Sequence, residues 1–302
     1  MPAGPRRRFL ALTAGALLVL GACSSSEETA AGVAVDGDVG ETPTMTFPDA
    51  EPSGELEVDY VTEGDGREVG ADDFVAVDYV GQVWGGDVFD SSFERGAPTM
   101  FSLNQVVQGW KDGLTGVPVG SRVVLSLPPE LGYGPSGGNQ QAGIGPDDTI
   151  VFTVDVLGAY APDQSGDPEA EPTGAEVPVT VEGELGAPAT VTIPEGAPAP
   201  EGEPRLTVTA TGTGEEIPEG GAVVLQYSAT TWDNATTEST WDVGQPIQVT
   251  LGGSIFDGLA GHPVGSRAVV LVPGQTDPTS GQEFPPMAAV VDVLDVLPAA
   301  AG

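Results

Sequence analysis

The chain has 302 residues, with 9 Lys and Arg against 45 Asp and Glu, a formal net charge of −36 and 39% hydrophobic residues. That length suits about two domains and that apolar content supports packed cores, whereas a surface this acidic cannot displace counterions from phosphates, which excludes nucleic acid as a partner. A single cysteine, Cys23, excludes an intramolecular disulfide.

Residues 1–22 read as an export signal: the basic Arg6-Arg7-Arg8 precedes an apolar run over 9–20 that is too short for a comfortable membrane span. The run ends in Leu20-Gly21-Ala22-Cys23, which resembles the lipobox of bacterial lipoproteins. The resemblance implies acylation of Cys23 and attachment to the membrane through that lipid, leaving the protein exported and anchored at the outer face of the bacterial cell membrane. Arg6-Arg7-Arg8-Phe9-Leu10 also resembles a twin-arginine signal. Residues 23–53 are small, acidic and punctuated by proline, the composition of a flexible tether.

The next hundred residues carry the strongest pattern. Val106, Trp110 and Leu114 recur every fourth residue and predict one apolar stripe on a helix of about two turns, closed by Gly113 and Gly116. Runs rich in β-branched residues surround it at 75–80, 123–127 and 150–154. The expected fold class is α+β: an antiparallel β half-barrel curled over one short helix, with Trp110 against the concave face.

The ordered set Val77-Asp78-Tyr79-Val80-Gly81, Phe89-Asp90-Ser91-Ser92, Val106-Val107-Gln108-Gly109-Trp110, Leu127-Pro128-Pro129, Gly132-Tyr133-Gly134 and Ile150-Val151-Phe152 resembles the FKBP-type peptidyl-prolyl cis/trans isomerases over residues 54–160. The resemblance implies a pocket for proline-containing polypeptides that works without metal or cofactor. In it Trp110 is the floor, Tyr79, Phe89, Val106, Val107 and Phe152 are walls, and Asp90 and Tyr133 form a polar rim. Tyr133 would donate to a substrate carbonyl, Asp90 would stand near the rotating amide, and Ile144 would pack from the following loop and offer backbone hydrogen bonds. Macrolide inhibitors are among the ligands the resemblance brings with it. Thr99 stands where many members have an aromatic, so one wall is expected to be thinner.

A repeat follows. After a Pro- and acid-rich linker at 161–202, residues 203–298 restate the first copy: Asp78-Tyr79 returns as Gln226-Tyr227, Trp84 as Trp232, and Pro118-Val119-Gly120-Ser121-Arg122 as Pro263-Val264-Gly265-Ser266-Arg267. The run 35–48 is likewise echoed at 181–194. Tyr227 is kept, but Phe89-Asp90 becomes Thr237-Glu238 and Trp110 becomes Ile255 after a three-residue deletion. Residues 203–298 are therefore expected to be a second, degenerate copy of the fold. The leading functional expectation is an exported isomerase that speeds slow X-Pro steps in protein folding. The alternatives are a non-catalytic peptide-binding or chaperone lipoprotein, and a purely structural surface lipoprotein.

Overall fold

The computed structural model describes residues 27–28, 32–276 and 279–298; the expected signal at 1–22 and Cys23 lie outside the described residues. The first sheet runs Glu57–Thr62, Arg122–Leu127, Ile150–Tyr160, Phe74–Val83, Val88–Ser91, every neighbouring pair antiparallel. Thr99–Ser102 adds to the other stretch of Phe74–Val83. All six residues of Arg122–Leu127 are buried, so this strand is covered on both faces.

The concave face is covered by the helix Gln108–Leu114, which buries Gly109, Trp110, Gly113 and Leu114. The apolar stripe foreseen from Trp110 and Leu114 is the one that faces the sheet, while Val107 already lies in the extended chain ahead of the first turn. Gly109 sets how near the helix can come: a Cβ there would stand 2.4 Å from Cγ of Leu127. Only glycine permits that approach.

A second sheet repeats the strand order with Arg205–Thr211, Arg267–Val272, Met287–Leu297, Ala222–Thr231 and Thr237–Ser239, and with Ile247–Thr250 on the side of Ala222–Thr231. Where the first copy has its helix, the second has a single 3-10 turn, Asp257–Leu259. The three deleted residues fall just before it. The two sheets are joined through a small core in which Ala76 and Tyr160 meet Val224, Leu294 and Leu297, and the Tyr160 hydroxyl donates to Asp295 at 2.8 Å.

The stretches expected to be tether and linker depart from that expectation where they are described. Residues 34–46 form a hairpin, Ala34–Asp36 against Thr44–Thr46, that buries Val33, Val35 and Met45 on the convex face of the first sheet against Val80, Val124 and Val151. Thr180–Glu182 and Thr190–Thr192 do the same on the second sheet, where Val179, Val191 and Ile193 pack on Val269 and Val290. The overall composition is polar, but a few apolar residues at alternate positions suffice when a ready-made sheet face receives them.

Each hairpin is held by a buried ion pair. Arg122 meets Asp155 through Nε and Nη2 at 2.5 and 2.7 Å, and turns its remaining donors to the carbonyls of Gly37 and Glu41. Arg267 meets Asp292 at 2.6 and 2.8 Å and donates to Gly183, Glu184 and Ala187. The echo between 35–48 and 181–194 is thus the repeat of a loop shaped around a guanidinium. Arg122→Leu would strand a carboxylate that is 1% exposed, and urea unfolding should show a loss of about 3–5 kcal/mol, most of it recovered in Arg122→Leu/Asp155→Leu.

Candidate functional site

Inside the first half-barrel the aromatic residues meet edge to face. Trp110 lies 5.1 Å from Phe152 between ring centroids at 87°, 5.5 Å from Tyr79 at 87°, and 5.5 Å from Phe101 at 75°. Phe89 stands on the far side of Phe152 at 5.5 Å and 88°. These are the geometries in which the positive edge of one ring meets the negative face of the next. Gly81 pairs directly opposite Phe152 across the sheet, and a Cβ at Gly81 would lie 2.7 Å from both Phe152 and Phe89. A glycine is required for the two rings to close over the strand.

The rings border a cavity of roughly 280 Å³ whose lining includes Tyr79, Phe89, Asp90, Val106, Val107, Trp110, Tyr133 and Phe152. Eight of the nine expected pocket residues therefore converge on one space. Ile144 does not line it: it is buried in the core beside the pocket, and its backbone N–H and carbonyl are both engaged with Asn139, at 2.9 and 2.8 Å. Its expected backbone hydrogen bonds to a ligand are already used in closing the 139–144 loop. Phe101 and Gln105 line the cavity without having been singled out. Phe101 could have been found from alternation, since it stands two residues after Thr99 on Thr99–Ser102.

The rim is organised by a residue that the sequence reading passed over. Arg95 ends the four-residue helix Ser92–Arg95, which is capped by the Ser91 hydroxyl and closed by Gly96 in the left-handed conformation. Its guanidinium pairs with the Asp90 carboxylate, reaches the Tyr79 hydroxyl at 3.0 Å and Thr99 Oγ1 at 3.1 Å, and sits 5.4 Å over the Tyr79 ring. Tyr79 in turn donates to Asp90. Thr99 therefore anchors Arg95, and Phe101 supplies the wall from the same strand. Asp90 and Arg95 are both about two-fifths exposed, 42% and 45%, so their pairing contributes on the order of 0–1 kcal/mol to stability and chiefly fixes the orientation of the rim. The Tyr133 hydroxyl has no hydrogen-bond partner among the described residues and remains available to a ligand.

Burial, and then donation to Asp90, push the Tyr79 phenol from its ordinary value of 10 up to about 12. The folded value lies above the unfolded one, so its contribution to stability is complete below pH 10 and is lost as pH climbs toward about 12. Below that window Tyr79 is a neutral donor. Ultraviolet difference titration should show a late phenol transition that vanishes in Tyr79→Phe and moves to lower pH in Asp90→Asn.

In the second copy the box is gone. At corresponding strand positions Phe101 is Val249 and Phe152 is Ala289, Val243 replaces Arg95 at the end of its helix, and Ile255 is 40% exposed. Tyr227 still donates to Glu238 at 3.1 Å. Gly81 has become Ala229, which faces Ala289: once the rings are absent, a Cβ fits.

A sequence model of the family described as FKBP-type peptidyl-prolyl cis-trans isomerase matches residues 65–157. An FK506-binding protein of Streptomyces anulatus is 38% identical over 120 residues, 39% of this chain and 96% of that protein. A probable FKBP-type peptidyl-prolyl cis-trans isomerase of Haemophilus influenzae is 45% identical over 94 residues, 31% of this chain and 38% of that protein. The isomerase FkpA of Escherichia coli is 38% identical over 117 residues, 38% of this chain and 42% of that protein. The chain thus spans less than half the length of the last two and nearly all of the first. With the aromatic box in place and a relative matched over almost its whole length, the chain belongs to the FKBP-type peptidyl-prolyl cis-trans isomerase family.

Proposed function

We propose that the first copy catalyses cis/trans isomerisation of X-Pro bonds in polypeptides, and that the observation carrying this reading is the closed aromatic box with its oriented polar rim. The uncatalysed barrier arises from the partial double bond of the peptide unit, about 18–20 kcal/mol. Twisting that bond uncouples the nitrogen lone pair from the carbonyl and makes the unit less polar, so an apolar pocket favours the twisted form over the planar one. Trp110 supports the proline ring while Phe89, Phe152 and Tyr79 exclude water from it. Arg95 balances the charge of Asp90, so the rim presents an oriented polar network without a bare anion over the apolar floor. Tyr133 donates to a substrate carbonyl and fixes the chain on one side of the rotating bond. No bond is made or broken, and the residues need only hold and shape.

Residues 54–160 form the isomerase unit in this reading, and 203–298 a unit without catalysis. A holding role suits the second copy, because the other four rings are lost while Tyr227 and its hydrogen bond to Glu238 remain. Phe89→Ala is expected to lower kcat/KM for a short X-Pro peptide by roughly tenfold or more, equivalent to about 1.4 kcal/mol. Tyr227→Phe should leave it unchanged. Full turnover by Phe89→Ala would remove the site assignment.

The lipobox-like Leu20-Gly21-Ala22-Cys23 supports export and acylation at Cys23. Glu27–Glu28 already pairs with Val35 and Ala34, which leaves residues 24–26 between lipid and fold, a reach of about 10 Å at full extension. Among the described residues no helix is long and apolar enough to cross a membrane. Mass spectrometry of the mature chain should find Cys23 first and acylated; a mature chain that keeps residues 1–22 would contradict the anchor.

A further inference from the structure

We propose that the cleft between the two copies is the outer part of the substrate groove and takes the extended polypeptide on one flank of the proline held in the aromatic pocket. The inference rests on the isomerase reading of that pocket. The cleft, roughly 370 Å³, lies between the loop 96–98 of the first copy and the second copy's 218–222, Gln248, Thr250 and Leu297.

Three observations join it to the site. The loop 96–98 runs directly from Arg95 to Thr99, the two rim residues that bond to each other at 3.1 Å. A chain leaving the pocket past Arg95 meets this loop next. Alternation along Thr99–Ser102 then places Phe101 in the pocket and Met100 in the core shared by the two copies. One strand thus carries the substrate wall on one face and the second copy on the other. Finally, among the described residues Thr99–Ser102 and Ile247–Thr250 each pair with one neighbour, and such sheet edges keep backbone groups that an extended peptide can use.

The chemistry of the walls suits a polypeptide better than an ion or a small charged ligand. Pro98, Pro218 and Pro298 supply apolar surface, Gln248 and Thr250 supply an amide and a hydroxyl, and Glu219 is the one ionisable lining residue. On Ile247–Thr250 the apolar Ile247 and Val249 turn to the core, leaving Gln248 and Thr250 for the cleft. The inner pocket, at roughly 280 Å³, holds little more than the proline and the residue before it, so any longer substrate must continue outside.

The test uses the full chain with Thr250→Trp, which fills the cleft from an exposed edge position, and with Gln248→Trp as a second filling variant. Two substrates are compared: a short X-Pro peptide confined to the pocket, and a long synthetic peptide with the same X-Pro bond and extended flanks on both sides. Filling the cleft should raise KM for the long peptide by about fivefold with kcat unchanged, the signature of lost uniform binding. The short peptide should be turned over as before. Unchanged KM for the long peptide in both Trp variants, or an equal loss on both substrates, would overturn the inference. Absence of turnover of either peptide by the unaltered chain would instead overturn the isomerase reading, and the inference with it.

Discussion

The site depends on the contact of Trp110 with Phe152. Their edge-to-face approach at 5.1 Å requires the helix to lie hard against the sheet, which Gly109 permits, and requires a bare backbone under Phe152, which Gly81 provides. Tyr79 and Phe101 close on Trp110 from one side, and Phe89 closes on Phe152 from the other. The pocket is what remains between rings that are locked by one another. Each of them borders the cavity and also packs against its neighbours, so the wall of the site is the surface of the core.

The duplication separates what the fold needs from what the chemistry needs. Both copies keep the strand order, the buried arginine with its aspartate, the loop wrapped around that arginine and the short capped helix that follows Val88–Ser91 or Thr237–Ser239. These features stabilise a curved sheet covered on its convex side. Trp110, Phe89, Phe101, Phe152, Arg95 and the two-turn helix occur in the first copy and are replaced in the second, while Tyr79 returns as Tyr227. Gly81 and Ala229 mark the boundary: the glycine is demanded by the rings rather than by the strand, and it gives way to alanine where no ring lies above it.

Much of this was legible in the sequence. Val106, Trp110 and Leu114 announced a short helix, although its first turn begins only at Gln108; β-branched runs announced the central strands, and the order of separate motifs brought eight of nine pocket residues together. Three things were hidden, for different physical reasons. The hairpin at 34–46 and its echo at 180–192 have too few apolar residues to register in composition, and fold because an existing sheet face accepts Val35, Met45, Val191 and Ile193. Arg95 reads as a solvated helix-end charge, because its partners Tyr79, Asp90 and Thr99 lie on three different segments. Ile144 packs in the core beside the pocket and spends its backbone on Asn139, a pairing that only the folded loop reveals.

The proposed activity places the turning of an X-Pro bond in the first copy's aromatic box. The most direct measurement is the cis/trans exchange rate of a short X-Pro peptide, followed by NMR magnetisation exchange with catalytic amounts of the full chain, its Gly81→Ala variant and its Ala229→Gly variant. The unaltered chain and Ala229→Gly should accelerate exchange, and Gly81→Ala should lose most of that acceleration because its added Cβ drives Phe89 and Phe152 apart. Equal acceleration by all three, or none by the unaltered chain, would contradict that placement.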